Sequence, residues 1–246
     1  MTARDSAALH IGLMVPINNT TMENELLAWL PPGSTCRTRK IPRGPGMLTR
    51  GSVPAYNEGA LALAQSLSST DIDVLVYGCT AAGFLMGPDA DVGLASSLAG
   101  VTGKPVVTTA RSMVNALEAT GATRIAVVTP YLDEVNRQLT AFLAASGVRV
   151  QRLNSLGATS TQALGRIRAP EVAALARETI GDDCDALFIA CSQLPTYAIL
   201  DELQREWPHP VWSSIRASAW QVHRTLDLPD AFDPPSSSTP ALAPSA

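Results

Sequence analysis

Two apolar runs, each ending in a cysteine followed by a small hydroxyl residue, recur 112 positions apart in this 246-residue chain. Val74-Leu75-Val76-Tyr77-Gly78 leads into Cys79 and Thr80, and Leu187-Phe188-Ile189-Ala190 leads into Cys191 and Ser192. Two further landmarks repeat in the same order. Ile11-Gly12-Leu13-Met14-Val15 ends at Pro16, and Ile125-Ala126-Val127-Val128-Thr129 ends at Pro130, an offset of 114. Lys104-Pro105-Val106-Val107 corresponds to His209-Pro210-Val211-Trp212 at an offset of 105. These offsets are far longer than the roughly 20–50 residues of a solenoid repeat. They describe one α/β unit used twice.

The short apolar runs predict strands, and the stretches between them have helical spacing. Leu61, Leu63, Ala64 and Leu67 predict a helix before the strand at 73–77. Val114, Leu117 and Glu118 predict one ended by Gly121; Val135, Leu139, Phe142 and Leu143 one ended near Gly147; Val172, Ala173, Leu175 and Ala176 a fourth. Strands alternating with helices imply parallel sheets in an α/β fold. Uninterrupted apolar strands suit a sheet covered on both faces. Ligands of such sheets bind beyond the carboxyl ends of the strands, where Asn18, Asn19, Cys79, Tyr131 and Cys191 all fall.

Composition removes several function classes. A net charge of −4 with no basic run argues against nucleic acid or an anionic membrane as partner. Lys40 and Lys104 are the only lysines, and neither has the setting of a Schiff-base residue, so pyridoxal chemistry is disfavoured. His10, His209 and His223 lack zinc-ligand spacing. Neither a dinucleotide fingerprint nor a Walker sequence is present, and Arg43-Gly44-Pro45-Gly46 reads as a turn. No cofactor and no metal are therefore expected. The chain lacks an apolar stretch of about 20 residues and a signal-peptide pattern, which implies a cytoplasmic protein. Cys36, Cys79, Cys184 and Cys191 would then stay reduced. After Leu228 the chain becomes rich in Pro, Ser and Ala, and residues 229–246 read as a disordered tail.

A lone cysteine is most often a small buried hydrophobe, and Cys36 and Cys184 fit that reading. The mirrored placement of Cys79 and Cys191 instead points to a catalytic pair. Two thiols facing one pocket can move a proton across a carbon, or one can attack while the other handles protons. In 15–25, Thr20 or Thr21 with the acidic residues that follow reads as a helix cap. The asparagines there also offer amide donors to a carboxylate. Tyr131 is either a boundary aromatic or a phenol donor, and Asp133 and Glu134 suit the first turn of a helix. Residues 155–161 form a hydroxyl-rich loop.

Val15-Pro16-Ile17-Asn18-Asn19-Thr20-Thr21-Met22-Glu23-Asn24-Glu25 together with Cys191-Ser192-Gln193-Leu194-Pro195-Thr196 resembles the Asp/Glu racemase superfamily, in particular its maleate isomerase and arylmalonate decarboxylase branch. Tyr131-Leu132-Asp133-Glu134-Val135-Asn136 is similar to both sub-branches, and the likeness runs from about Ile11 to Leu226. It implies two pseudo-twofold-related parallel-sheet α/β lobes with the active site between them. The first lobe would comprise 9–110 plus 213–228, and the second 111–212. It further implies a cofactor-independent isomerase forming a homo-oligomer, a dimer, with Cys79 as nucleophile and Cys191 as proton-handling partner. Asn19, Tyr131, Thr80, Ala81, Ser192 and Gln193 would hold a small carboxylate or dicarboxylate, maleate being the expected substrate. The loop 158–162 lacks the asparagine that maleate isomerases carry there, so Thr161 is expected to take its place. The segment 78–84 resembles the decarboxylase loop as much as the isomerase loop, but decarboxylases keep only the second cysteine. A racemase of amino acids or hydantoins, an arylmalonate-type decarboxylase and a small-acid-binding protein are the alternative readings.

Overall fold

The apolar runs become the central strands of two sheets in a computed structural model that describes residues 8–44 and 46–228. The first sheet holds β1 (His10–Pro16), β2 (Thr35–Ile41), β3 (Val74–Tyr77) and β4 (Val106–Thr108), in the order β2-β1-β3-β4. The second holds β5 (Arg124–Thr129), β6 (Arg149–Ser155), β7 (Ala186–Ile189) and β8 (Val211–Ser213), in the order β6-β5-β7-β8. All pairings are parallel. The helices between them, in chain order, are α1 (Met22–Trp29), α2 (Val53–Ser68), α3 (Thr80–Phe84), α4 (Pro88–Thr102) and α5 (Thr109–Ala119), then α6 (Asp133–Ala145), α7 (Thr161–Arg166), α8 (Ala169–Thr179), α9 (Tyr197–Glu206) and α10 (Ser214–Thr225).

The duplication is visible bond by bond. Asp73 N donates to His10 O at 2.7 Å, and Asp185 N to Arg124 O at 2.7 Å. Leu75 N donates to Pro105 O and Leu187 N to Pro210 O, each at 2.9 Å. Gly78 N reaches Met14 O at 2.7 Å, and Ala190 N reaches Val128 O at 2.8 Å. The same ladder thus carries both cysteines to the carboxyl ends of equivalent strands. The predicted helices appear as α2, α5, α6 and α8, and Gly121 and Gly147 follow α5 and α6 with φ of +67° and +77°. Both adopt the left-handed conformation that glycine tolerates without steric cost.

Side chains alternate across the first sheet. Ile11, Leu13 and Val15 face a small core under α1 and α10 with Leu26, Ile215 and Val222. Met14, Tyr77 and Phe84 face the main core, which runs on into Val127 and Phe188 of the other half. The strands β2 and β6 read poorly in sequence because they are edge strands with partly exposed polar side chains, as in Arg37, Arg39, Arg149 and Arg152. Charges on an edge discourage pairing with another chain. Among the described residues no helix is long and apolar enough to cross a membrane. The tail expected at 229–246 lies outside the described residues.

One glycine is fixed by close approach. A Cβ at Gly78 would lie 2.4 Å from Met22 Sδ, 2.8 Å from Val15 Cγ1 and 3.1 Å from Met14 O, whereas the equivalent position in the second half is Ala190. Gly78→Ala should therefore cost about 1–3 kcal/mol by overpacking. An unchanged urea midpoint would show that this contact can relax freely.

Candidate active site

The strand β3 ends at Tyr77, and Gly78 turns the chain so that Cys79, with extended backbone (φ −126°, ψ 94°), caps α3. In the second half β7 ends at Ile189, and Cys191 opens a turn in which Leu194 N donates to Cys191 O at 3.2 Å. Gln193 N points at the Cys191 sulfur, 3.5 Å away. Both thiols are nearly buried, with 4% and 8% of their surface exposed, yet both line the same cavity of about 350 Å³ between the two sheets. The residual exposure is thus directed into one shared space.

Burial pushes the Cys79 thiol up to about 11, countered by a backbone N–H at Ala82 and the Tyr56 hydroxyl and raised further by Cys191. Burial also raises Cys191, countered by the Gln193 N–H and the Tyr131 hydroxyl. Removing a thiolate from water disfavours the charged form, while hydrogen bonds to it favour that form. Each sulfur therefore has a tyrosine beside it. Both phenol oxygens are buried without a well-formed hydrogen bond. Tyr131 stacks edge-on against Phe84, with ring centroids 5.7 Å apart, which fixes its ring at the cavity wall.

A hydrogen-bond circuit joins the two halves directly behind the thiols. Ser192 Oγ donates to Gly78 O at 2.8 Å, and Asn19 Nδ2 donates to Ser192 O at 3.1 Å and to Ser192 Oγ at 3.3 Å. Asn19 Oδ1 accepts from Thr21 N at 3.1 Å and Met22 N at 3.0 Å, capping α1. Gln193 Oε1 accepts from Thr20 N at 2.9 Å, and Thr21 Oγ1 donates to Gln193 O at 2.9 Å. Farther out, Glu25 accepts from Thr196 N at 2.8 Å and Thr196 Oγ1 at 2.9 Å. Lys40 Nζ donates to Asn19 O.

The expected site residues therefore separate by geometry. Asn19, Thr80, Ala81, Tyr131, Ser192 and Gln193 all line the cavity with the cysteines. The polar atoms of Asn19, Ser192 and Gln193 are largely engaged in the circuit. The longest of these bonds is the 3.3 Å contact from Asn19 Nδ2 to Ser192 Oγ. Thr80 Oγ1 donates to Ser214 Oγ at 3.2 Å. The N–H groups of Thr80 and Ala81, at the start of α3, have no intrahelical acceptor and remain available.

Thr161 departs from expectation. It sits at the first position of α7, its hydroxyl 3.2 Å from Gln162 Oε1, and is not among the cavity-lining residues. Ser160 caps that helix through Ala163 N, which commits the loop to helix initiation, and Leu164 is the residue α7 presents to the cavity. Two cavity-lining or neighbouring residues were not expected from sequence, Tyr56 on α2 and Arg43 after β2. Asn18, which the sequence placed at the end of β1, lines the cavity, and its Oδ1 accepts from Arg43 Nη1 at 3.2 Å.

The family model for arylmalonate decarboxylase matches residues 44–237. The chain belongs to the arylmalonate decarboxylase family. It is 29% identical over 229 residues to a maleate isomerase of Nocardia farcinica, covering 90% of this chain and 91% of that one. It is also 29% identical over 183 residues to an arylmalonate decarboxylase of Bordetella bronchiseptica, covering 74% and 76% of the two chains. A cysteine-to-serine mutant of the Nocardia farcinica maleate cis-trans isomerase, solved with a covalently bound succinylcysteine intermediate, superposes with a TM-score of 0.84 at 27% identity, covering 91% of this chain and 94% of that one. The two-sheet architecture of this chain matches that structure, and both family branches fit its fold.

The circuit makes a separable prediction. Asn19→Asp keeps the acceptor that caps α1 but sets a carboxylate oxygen against the carbonyl of Ser192. It should cost about 1–3 kcal/mol of stability, the range for a buried polar group left unpaired. A urea unfolding curve superimposable on the parent's would refute a clamping role for the amide.

Proposed function

We propose that this protein is a cofactor-independent cysteine isomerase that interconverts the cis and trans forms of a maleate-type dicarboxylate. The observation that carries the reading is that Cys79 and Cys191, from equivalent strand ends, line one cavity. The succinylcysteine seen in the Nocardia farcinica relative supports a covalent route. In that route the Cys79 thiolate adds to one alkene carbon, and the π pair moves onto the neighbouring carbon as an enediolate of its carboxylate. The N–H groups of Thr80 and Ala81 and the Tyr131 hydroxyl supply donors for the carboxylate oxygens. Cys191 delivers its proton to the carbanionic carbon, giving a succinyl thioether whose central bond is single and rotates. Cys191 then takes a proton back, the C–S bond breaks, and the trans acid leaves with the Cys79 thiolate restored. The choice of Cys79 as nucleophile rests on the family resemblance.

A second reading has its own support. Much of the cavity wall is apolar, formed by Met47, Leu48, Leu85, Leu132, Val135 and Leu164, which suits an aryl-substituted malonate losing carbon dioxide with Cys191 as proton donor. The two readings part in the variants. Cys79→Ser and Cys191→Ser should each lower turnover of maleate at least about 100-fold, the scale of a lost proton-transfer or nucleophilic group. Cys79→Ser should spare decarboxylation of phenylmalonate if the second reading holds. Proton NMR of both substrates with the parent and both variants decides between them, and full maleate turnover in either variant would exclude the paired-thiol route.

The thiol environment adds a pH test. The reactive form is the thiolate, and burial raises both thiols, Cys79 to about 11. A raised pKa leaves less thiolate near neutrality, so the rate climbs as pH rises towards that value. Initial-rate measurements should show kcat/KM rising about tenfold per pH unit from pH ~7 to ~10, as for any step limited by the deprotonated fraction. A flat profile over that interval would contradict nucleophilic attack by a buried thiol.

A further inference from the structure

The cavity contains a positive charge that the mechanism above does not use. Arg43, in the connection from β2 to α2, lines the cavity together with both cysteines. Among the described residues its guanidinium has only neutral partners, Asn18 Oδ1 at 3.2 Å and the carbonyl of Gly46. Its Nε–H is buried and without an acceptor. None of the ion pairs among the described residues includes it. A partly desolvated guanidinium with an unused donor is suited to a carboxylate, which arginine binds through parallel N–H groups. Leu164 of α7 lines the same cavity, and Thr161 does not.

We infer that Arg43 is the receptor for one carboxylate of a dianionic substrate held in the cavity that Cys79 and Cys191 line. This rests on the dicarboxylate reading and extends it to a residue that determines specificity. The same guanidinium favours the ionised forms of Cys79 and Cys191 and of the Tyr56 hydroxyl. The other titratable groups around the cavity are Tyr131, Glu134 and Arg50, and Glu134 is already paired with Arg137.

Alkylation with two reagents of similar size, anionic iodoacetate and neutral iodoacetamide, tests the inference without requiring any turnover. Rates at Cys79 and Cys191 are read by mass spectrometry in the full-length parent, Arg43→Lys, Arg43→Gln and Arg43→Met, each checked for folding by circular dichroism. The iodoacetate-to-iodoacetamide rate ratio should fall about tenfold in Arg43→Met and Arg43→Gln, the effect of losing one charge-assisted contact, and should be largely kept in Arg43→Lys. An unchanged ratio in both neutral variants overturns the assignment. So does a parent protein whose two cysteines resist both reagents. If the ratio falls while the parent leaves maleate untouched, the anion receptor stands and the isomerase reading fails. If maleate is turned over, KM should rise about tenfold or more in Arg43→Met.

Discussion

The bond from the Ser192 hydroxyl to the Gly78 carbonyl, 2.8 Å long, fixes the two halves against each other at the point where the chemistry would occur. It joins the residue before one cysteine to the residue after the other. The circuit around it closes on itself. Ser192 accepts from Asn19, Asn19 caps α1 at Met22, and Met22 fills the space that a side chain at residue 78 would need. Each contact thus limits the freedom of the next. Positioning of reacting groups to within a fraction of an ångström requires this kind of support from neighbouring side chains. Two rigid lobes joined only at a distant hinge would let the sulfurs drift apart.

The same closure creates an electrostatic problem. Apolar walls and near-complete burial raise both thiols, so the resting pair favours the protonated state. The compensating groups are local and specific: the Gln193 N–H at Cys191, the Ala82 N–H at Cys79, and one tyrosine hydroxyl for each sulfur. The backbone N–H groups are in place before a substrate arrives and need little reorganisation during reaction. Exclusion of water strengthens every one of them.

The parallel α/β architecture was legible because its central strands are short apolar runs between helical stretches, and burial on both faces imposes that pattern. The cysteine pair was legible because duplication repeats its surroundings. The edge strands β2 and β6 were obscured by their exposed arginines, which answer to solvent and not to the core. Arg43 was obscured for a different reason: within its own segment it reads as part of a turn, and its meaning depends on the fold bringing that turn over two strand ends far away in sequence. Residues linked across 173 positions, as Asn19 and Ser192 are, leave no local periodicity to find. Thr161 starts α7 and is not among the cavity-lining residues, and its pattern was ambiguous because capping and ligand binding draw on the same residue types. Ser160 and Thr161 begin a helix, and that use consumed the hydroxyl-rich pattern.

Duplication supplies two equivalent thiols, but a directional reaction needs them to differ. The differences arise where the halves diverge. Cys79 runs directly into the short helix α3, whereas Cys191 opens a turn whose next N–H groups fold back on its own sulfur. The tyrosine beside Cys79 comes from α2, and the one beside Cys191 follows β5. Arg43 has no counterpart at the equivalent exit of β6, where the chain reads Leu156-Gly157-Ala158. The shared ladder therefore sets where the sulfurs stand, and the unshared groups give each of them a different neighbourhood.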